Sequence, residues 1–373
     1  MKLSLNYAFF TILLLAACNP KPAVPIESPI EPLIKPVLKE RPRNVILMIG
    51  DGMGLTQITA GMYRNGNKLH LEQFPIVGLH KPYSSNNLIS DSAAAATAFA
   101  SGVKTYNGAI GVKRDSTPVE TILELAKANK LATGIVTTST IVHATPAAFV
   151  AHNVSRNNFQ EIALDIWGSD IDLIIGGGRK YFYKRKDGRN LIQELKDKNY
   201  AVSDYNDQRF EETVIDFDQK FAYFTAETDP KTVRRGRDYL PASARAAANF
   251  LDKRGEEGFF LMIEGAQIDW GGHAKNSEYI ITEMLDFDEA IGNVIKFAQE
   301  DGETLVIVTA DHETGGYSIN PGSTMEKIIP GFNTDYHTAT LIPVFAFGPG
   351  SELFGGTYEN TAIYDKMKEA FGF

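Results

Sequence analysis

Apolar runs that close on glycine or on acidic residues recur along the chain. Val45-Ile46-Leu47-Met48-Ile49 ends at Gly50-Asp51-Gly52-Met53-Gly54, and Thr133-Gly134-Ile135-Val136-Thr137-Thr138 empties into His143-Ala144-Thr145-Pro146. Leu173-Ile174-Ile175 ends in three glycines, Phe259-Phe260-Leu261-Met262-Ile263 in Glu264-Gly265-Ala266, and Leu305-Val306-Ile307-Val308 in Asp311-His312-Glu313. A last run, Ile342-Pro343-Val344-Phe345-Ala346-Phe347, stops at Gly348. Runs that are apolar at nearly every position, rather than at alternate ones, are what strands covered on both faces require. Between them lie segments with helical character: an alanine run from Ser92, then 117–131, 190–198, 241–253 and 278–299, with a further apolar face over 147–156. This alternation predicts an α/β fold with a doubly wound, mostly parallel central sheet and helices on both faces. The span 200–237 is charged, aromatic and irregular, and reads as an excursion from that core. Glu283, Asp286, Asp288 and Glu289 read as the solvated face of the last helix.

Composition narrows the setting. With 373 residues, 43% of them hydrophobic, the chain has ample material for a core. A formal charge of -9 and no block of Lys or Arg exclude a nucleic-acid binder, which needs a basic face, and leave a small substrate. Residues 1–17 read as a signal peptide: Lys2, then an apolar run from Tyr7 to Ala17 that is too short to span a bilayer. Leu15-Ala16-Ala17-Cys18 resembles a bacterial lipoprotein box, in which Cys18, the sole cysteine, becomes the lipidated first residue. Seven prolines between Pro20 and Pro42 make 18–43 an extended tether. The expectation is a single globular domain over 44–373, exported and lipid-anchored to a bacterial membrane at the periplasmic face or cell surface.

Asp91-Ser92, placed before Ala93-Ala94-Ala95-Ala96, puts a hydroxyl at a helix start. There it is either a cap or a nucleophile beside the positive end of the dipole. Asp51, between glycines at a strand end, is either a turn former or a cation ligand. Other chemistry-bearing residues share that placement: His143 and Thr145 with Arg156 beyond them, Glu264, Asp269 and His273 four apart, Asp311 with His312, and His337. Strand ends of a doubly wound sheet converge on one edge. Histidines 273, 312 and 337 among carboxylates point to zinc, whereas Asp51, Thr145 and Glu264 offer only oxygen, which suits magnesium. Such a set beside a serine and an arginine fits phosphoryl transfer.

Gly50-Asp51-Gly52-Met53-Gly54, Asp91-Ser92-Ala93 through Gly102-Val103-Lys104-Thr105-Tyr106-Asn107-Gly108, Ala144-Thr145-Pro146-Ala147, Glu264-Gly265-Ala266, Asp269 with His273, Asp311-His312-Glu313 and His337-Thr338 resemble the motifs of alkaline phosphatases, in family order from about Asn44 to Phe373. The resemblance implies an α/β sandwich, a homodimer, and hydrolysis of phosphate monoesters through a phosphoserine on Ser92. It also implies one zinc on Asp269, His273 and His337, a second on Asp51, Asp311 and His312, and magnesium on Asp51, Thr145 and Glu264. Arg156 would grip the phosphate, with Asp91 orienting it. Two positions depart from the best-known enterobacterial pattern. His143 stands for an aspartate, which leaves the metal of the third site open and places His143 in or behind that site. Trp270 stands for a lysine, which implies a weaker hold on phosphate. Among related enzymes, a sulfatase would want x-Pro-x-Arg after its nucleophile, which Ser92-Ala93-Ala94-Ala95 lacks, and a diesterase commonly uses threonine. A phosphoglycerate mutase is a further relative. A surface lipoprotein that binds metal or phosphate without turnover is the rival of another class.

Overall fold

Successive side chains of the strand Asn44–Gly50 point to opposite faces, and both faces are buried. Val45, Leu47 and Ile49 enter one hydrophobic core, and Ile46 and Met48 enter another. A computed structural model of the chain describes residues 41–373. The expected signal peptide, Cys18 and nearly all of the tether lie outside them.

The strands, in chain order, are β1 (Asn44–Gly50), β2 (Ile76–Lys81), β3 (Ala132–Thr140), β4 (Leu173–Gly177), β5 (Tyr200–Asp204), β6 (Lys220–Phe224), β7 (Phe259–Gly265) and β8 (Thr304–Thr309). The short pieces β9 (Glu313–Thr314), β10 (Ser318–Ile319), β11 (Pro330–Gly331) and β12 (His337–Thr338) follow, then β13 (Ile342–Phe347) and β14 (Gly356–Glu359). Ten of them form one sheet in the order β14-β2-β13-β8-β1-β7-β3-β4-β6-β5. β13 pairs antiparallel with both of its neighbours, and the other pairings are parallel. The doubly wound, mostly parallel sheet read from the alternation is therefore present, with helices packed on the two cores. β8, β1, β7 and β3 stand side by side at its centre. Their C-terminal ends lead directly to Asp311, Asp51, Glu264 and Thr145.

Three local readings change. The helix expected over 117–131 runs only from Ile122 to Ala128, because Thr121 caps it: Thr121 Oγ1 accepts from Glu124 N, and Glu124 Oε2 accepts from Thr121 N. Over 147–156, the helix Ala144–Ala147 stops and the chain continues in turns to Arg156. The span 200–237 is not an excursion, since β5 and β6 complete one end of the sheet. β5, at the edge, is covered on fewer sides and so lacks the all-apolar signature, whereas β6 is paired on both sides and is a short aromatic strand buried over Phe221–Phe224.

The acidic face of the long helix Ser277–Asp301 is also corrected. Glu283 and Asp288 are buried, Asp286 is half-buried, and only Glu289 is exposed. Arg237, itself buried, pairs with Glu283 and donates from Nη1 to Asp286 Oδ2 at 2.7 Å. Asp288 accepts from the backbone N–H groups of His70 and Leu71 at 2.8 and 3.0 Å. Charges taken out of water need such partners, and these were distant in sequence.

Candidate active site

The helix Ser92–Ser101 is buried along its whole length, which small alanine side chains permit. Asp91 is its N-cap, with Oδ1 accepting from Ala94 N at 3.0 Å. Ser92 therefore occupies the first helical position, where unpaired N–H groups favour an anion. Its Oγ lies 3.4 Å from His312 Nε2. Cap and hydroxyl are thus separate residues, and Ser92 is left free for chemistry.

Asp91 also uses its second oxygen. Oδ2 accepts from Gly108 N at 2.9 Å and from Arg156 Nη1 at 3.0 Å. The other terminal nitrogen of Arg156, Nη2, is 3.4 Å from His143 Nε2. Arg156 is thereby held in place over the loop that precedes Ser92.

Among the described residues, three groups of metal-capable donors gather at the strand ends, each with its donor atoms within 4.8 Å of one another. The first comprises Asp269, His273 and His337. His273 Nε2 is 3.3 Å from Asp269 Oδ2, His337 Nε2 is 3.5 Å from Asp269 Oδ1, and the two ring nitrogens are 3.2 Å apart. Each ring spends its outer nitrogen on a backbone carbonyl, His273 Nδ1 on Asp335 O at 2.6 Å and His337 Nδ1 on Ser90 O at 2.8 Å. Those bonds fix both tautomers with Nε2 turned inward, the arrangement that a ligating imidazole needs.

The second group is Asp51, Asp311 and His312, all fully buried. His312 Nε2 is 3.0 Å from Asp311 Oδ2 and 3.7 Å from Asp51 Oδ1. Asp311 Oδ1 is fixed by Gly52 N at 3.1 Å and by His312 N at 2.9 Å. Gly52 sits at φ +74°, and a Cβ there would meet Asp269 Cα at 2.6 Å, so only glycine lets these two loops approach.

The third group adds His143 to Asp51 and Glu264. Thr145 Oγ1 is 3.5 Å from Asp51 Oδ2, and Glu264 Oε2 is held by the hydroxyls of Thr137 and Ser139. Sequence reading missed those two hydroxyls, although Thr137-Thr138-Ser139-Thr140 is an unusually polar end for a buried strand. His143 lies edge-on to Trp270 at 6.2 Å, and its Nδ1 is buried without a hydrogen-bond partner.

Electrostatics mark these groups as cation sites. Asp51 Oδ1 and Glu264 Oε1 are buried with no hydrogen-bond partner, a costly state for carboxylate oxygens unless positive charge reaches them. Burial pushes Glu264 up to about 7, and burial together with Asp311, Asp269 and Glu264 raises Asp51. Burial and then Arg156 lower His143 to about 3, and burial and then His312 lower His337 to about 4, so both rings are neutral bases at pH 7. His273, hydrogen-bonded to Asp269, is raised to about 9. Proton and metal therefore compete for its inner nitrogen. The donor chemistry of all three groups fits divalent cations, and His143 gives the third group a nitrogen beside its carboxylates.

All the expected site residues are thus brought to one edge of the sheet. Glu313, next to His312, takes no part in the three donor groups: its oxygens accept from Gln57, Thr338 and the N–H groups of Gly316 and Tyr317. A cavity of about 600 Å³ beside Phe210, Tyr223 and Tyr239 contains none of the site residues.

A family model described as alkaline phosphatase matches residues 42–330. Alkaline phosphatase 3 of Bacillus subtilis is 34% identical over 88% of this chain and 88% of its own. Alkaline phosphatase of Escherichia coli is 31% identical over 90% of this chain and 87% of its own. Among solved structures, the alkaline phosphatase of the Antarctic bacterium TAB5 superposes with a TM-score of 0.83 at 44% identity, covering 90% of this chain and 99% of that one. A variant of that enzyme carries Mg in a site termed M3.

Proposed function

The chain belongs to the alkaline phosphatase family and is a phosphatase, and from that premise we propose that it hydrolyses phosphate monoesters through a phosphoserine on Ser92. In this reading Asp269, His273 and His337 hold one zinc, Asp51, Asp311 and His312 hold a second, and Asp51, Thr145 and Glu264 hold magnesium. His143 faces that third site. Divalent cations bound in these sets supply Lewis acidity that favours the serine alkoxide and neutralises charge on the leaving oxygen.

The chain's own groups account for the remaining steps. Arg156, steadied by Asp91, grips two oxygens of the phosphate. N–H groups at the start of the Ser92 helix face the same charge. Ser92 Oγ gives up its proton to solvent and attacks phosphorus, the bond to the alcohol oxygen breaks, and the alcohol leaves with a proton from solvent. Water then attacks the phosphoserine, the P–Oγ bond breaks, and inorganic phosphate and the Ser92 hydroxyl are restored. The observation that carries this reading is Ser92 Oγ, buried at a helix start and 3.4 Å from His312 Nε2. The sequence pattern at Leu15–Cys18 further supports export and lipidation at Cys18 on the periplasmic face or cell surface, and family habit supports a homodimer.

The test is hydrolysis of a chromogenic phosphate monoester by chelator-stripped protein, with Zn²⁺ and Mg²⁺ restored separately and together. Activity should require zinc and rise with magnesium. Ser92→Ala should retain phosphate binding and lose turnover by roughly a thousandfold or more. Folded protein without activity under any metal would move the non-catalytic binding lipoprotein to first place.

A further inference from the structure

The imidazole of His337 is clamped on both faces. Its inner face stacks on His312 with centroids 3.4 Å apart and planes at 16°. Its outer face is covered by the neighbouring Tyr336, 4.4 Å away and within 7° of parallel. The hydrogen bond from Nδ1 to Ser90 O fixes the tautomer but leaves the ring able to tilt about that bond. Stacking on two faces removes the tilt. Tyr336 is itself anchored by its backbone: its carbonyl accepts from Gly315 N at 2.9 Å, and its N–H donates to Thr334 Oγ1 at 3.1 Å. The residue remains 47% exposed, so its place against His337 is not explained by burial alone.

We infer that Tyr336 is a positioning residue for the first donor group, holding the His337 ring flat so that Nε2 stays aimed at Asp269 and His273. The inference rests on the reading that Asp269, His273 and His337 bind zinc. Tyr336 touches no reacting atom in this assignment, so its signature lies in metal retention. The ring is the working part, so phenylalanine should serve as well as tyrosine.

Zinc-loaded full-length protein is mixed with an excess of chromogenic chelator, and release of each zinc equivalent is followed in time. Tyr336→Ala should speed one release phase roughly 3- to 10-fold, the size of one aromatic pair, and leave the other unchanged. Tyr336→Phe should restore the wild-type rate. The melting temperature of the chelator-stripped alanine variant should match that of stripped wild type. Wild-type release from the alanine variant, equally fast release from the phenylalanine variant, or a parallel fall in stripped-protein stability would each overturn the inference. Wild-type protein that takes up no zinc would overturn the donor-group reading, and this inference with it, before any variant is made.

Discussion

Asp91 and Arg156 are joined by a 3.0 Å ion pair, and the same carboxylate caps the helix that Ser92 begins. One side chain thus sets both the start of the Ser92 helix and the position of Arg156. The two duties separate by substitution. Asp91→Ala should cost about 0.5–2 kcal/mol of stability through the lost cap and also raise KM. Asp91→Asn keeps a capping oxygen but gives up the charge that holds Arg156. It should unfold near the wild-type urea midpoint while its KM rises. Equal stability losses in the two variants would contradict this division.

Trp270 lies against His143 and brings no charge to the proposed phosphate site. A lysine there should add a charge-assisted hydrogen bond to bound phosphate. Trp270→Lys is therefore expected to lower the inhibition constant of inorganic phosphate at least about tenfold. An unchanged constant would mean that position 270 has no reach to the product.

The buried carboxylates predict how the metal-stripped protein responds to pH. Burial raises Glu264 from 4.5 to about 7 and, with neighbouring carboxylates, raises Asp51 as well. A group whose pKa is raised on folding stabilises the fold below its unfolded value, and that stability is lost as pH climbs through the folded value. Asp269 moves the other way: burial opposes its ionisation, but His273, His312 and His337 bring it below 3.8, so its effect falls in acid. His143 and His337, lowered on folding, oppose this trend until the unfolded histidines lose their protons near 6.5, so between about pH 6.5 and 8 the stripped protein should lose melting temperature as pH rises. Zinc and magnesium together should flatten that slope, since bound cations offset the charges that repel. Parallel curves with and without metal, measured by scanning calorimetry, would count against these carboxylates as cation ligands.

Arg237 is enclosed with Glu283 and Asp286. Removing the cation strands two carboxylates whose burial already raises them. Arg237→Met should destabilise the fold by about 3–5 kcal/mol, seen as a shifted urea midpoint. Replacing Glu283 and Asp286 by leucine in that variant should recover much of the loss. A triple variant no more stable than Arg237→Met alone would show that the cost lies in packing.

The central strands were legible because burial on both faces demands unbroken apolar runs, and the site residues were legible because they stand where those runs stop. Asp51, Glu264 and Asp311 are all of this kind. Partners that act across long sequence separations left no local mark. Arg237 looked like one more charge in an irregular span, so Glu283 and Asp286 read as solvated. β5 and β6 were hidden for a related reason: near the end of a sheet, polar and aromatic residues satisfy a strand as well as Val or Ile do. Tyr336 had no motif to announce it, because its role depends on which ring lies beside it. His143 was placed in or behind the third site from a single departure in type, and the structure sets it beside Asp51 and Glu264.

The donor groups draw on loops that follow β1, β3, β7 and β8 and on β12, so Asp51 is made early in synthesis and His337 late. A chain leaving the ribosome displays its serine and arginine well before its last histidine has been added. The complete donor set then arrives only with nearly the whole domain in place, and a partly made copy carries Ser92 and Arg156 without it.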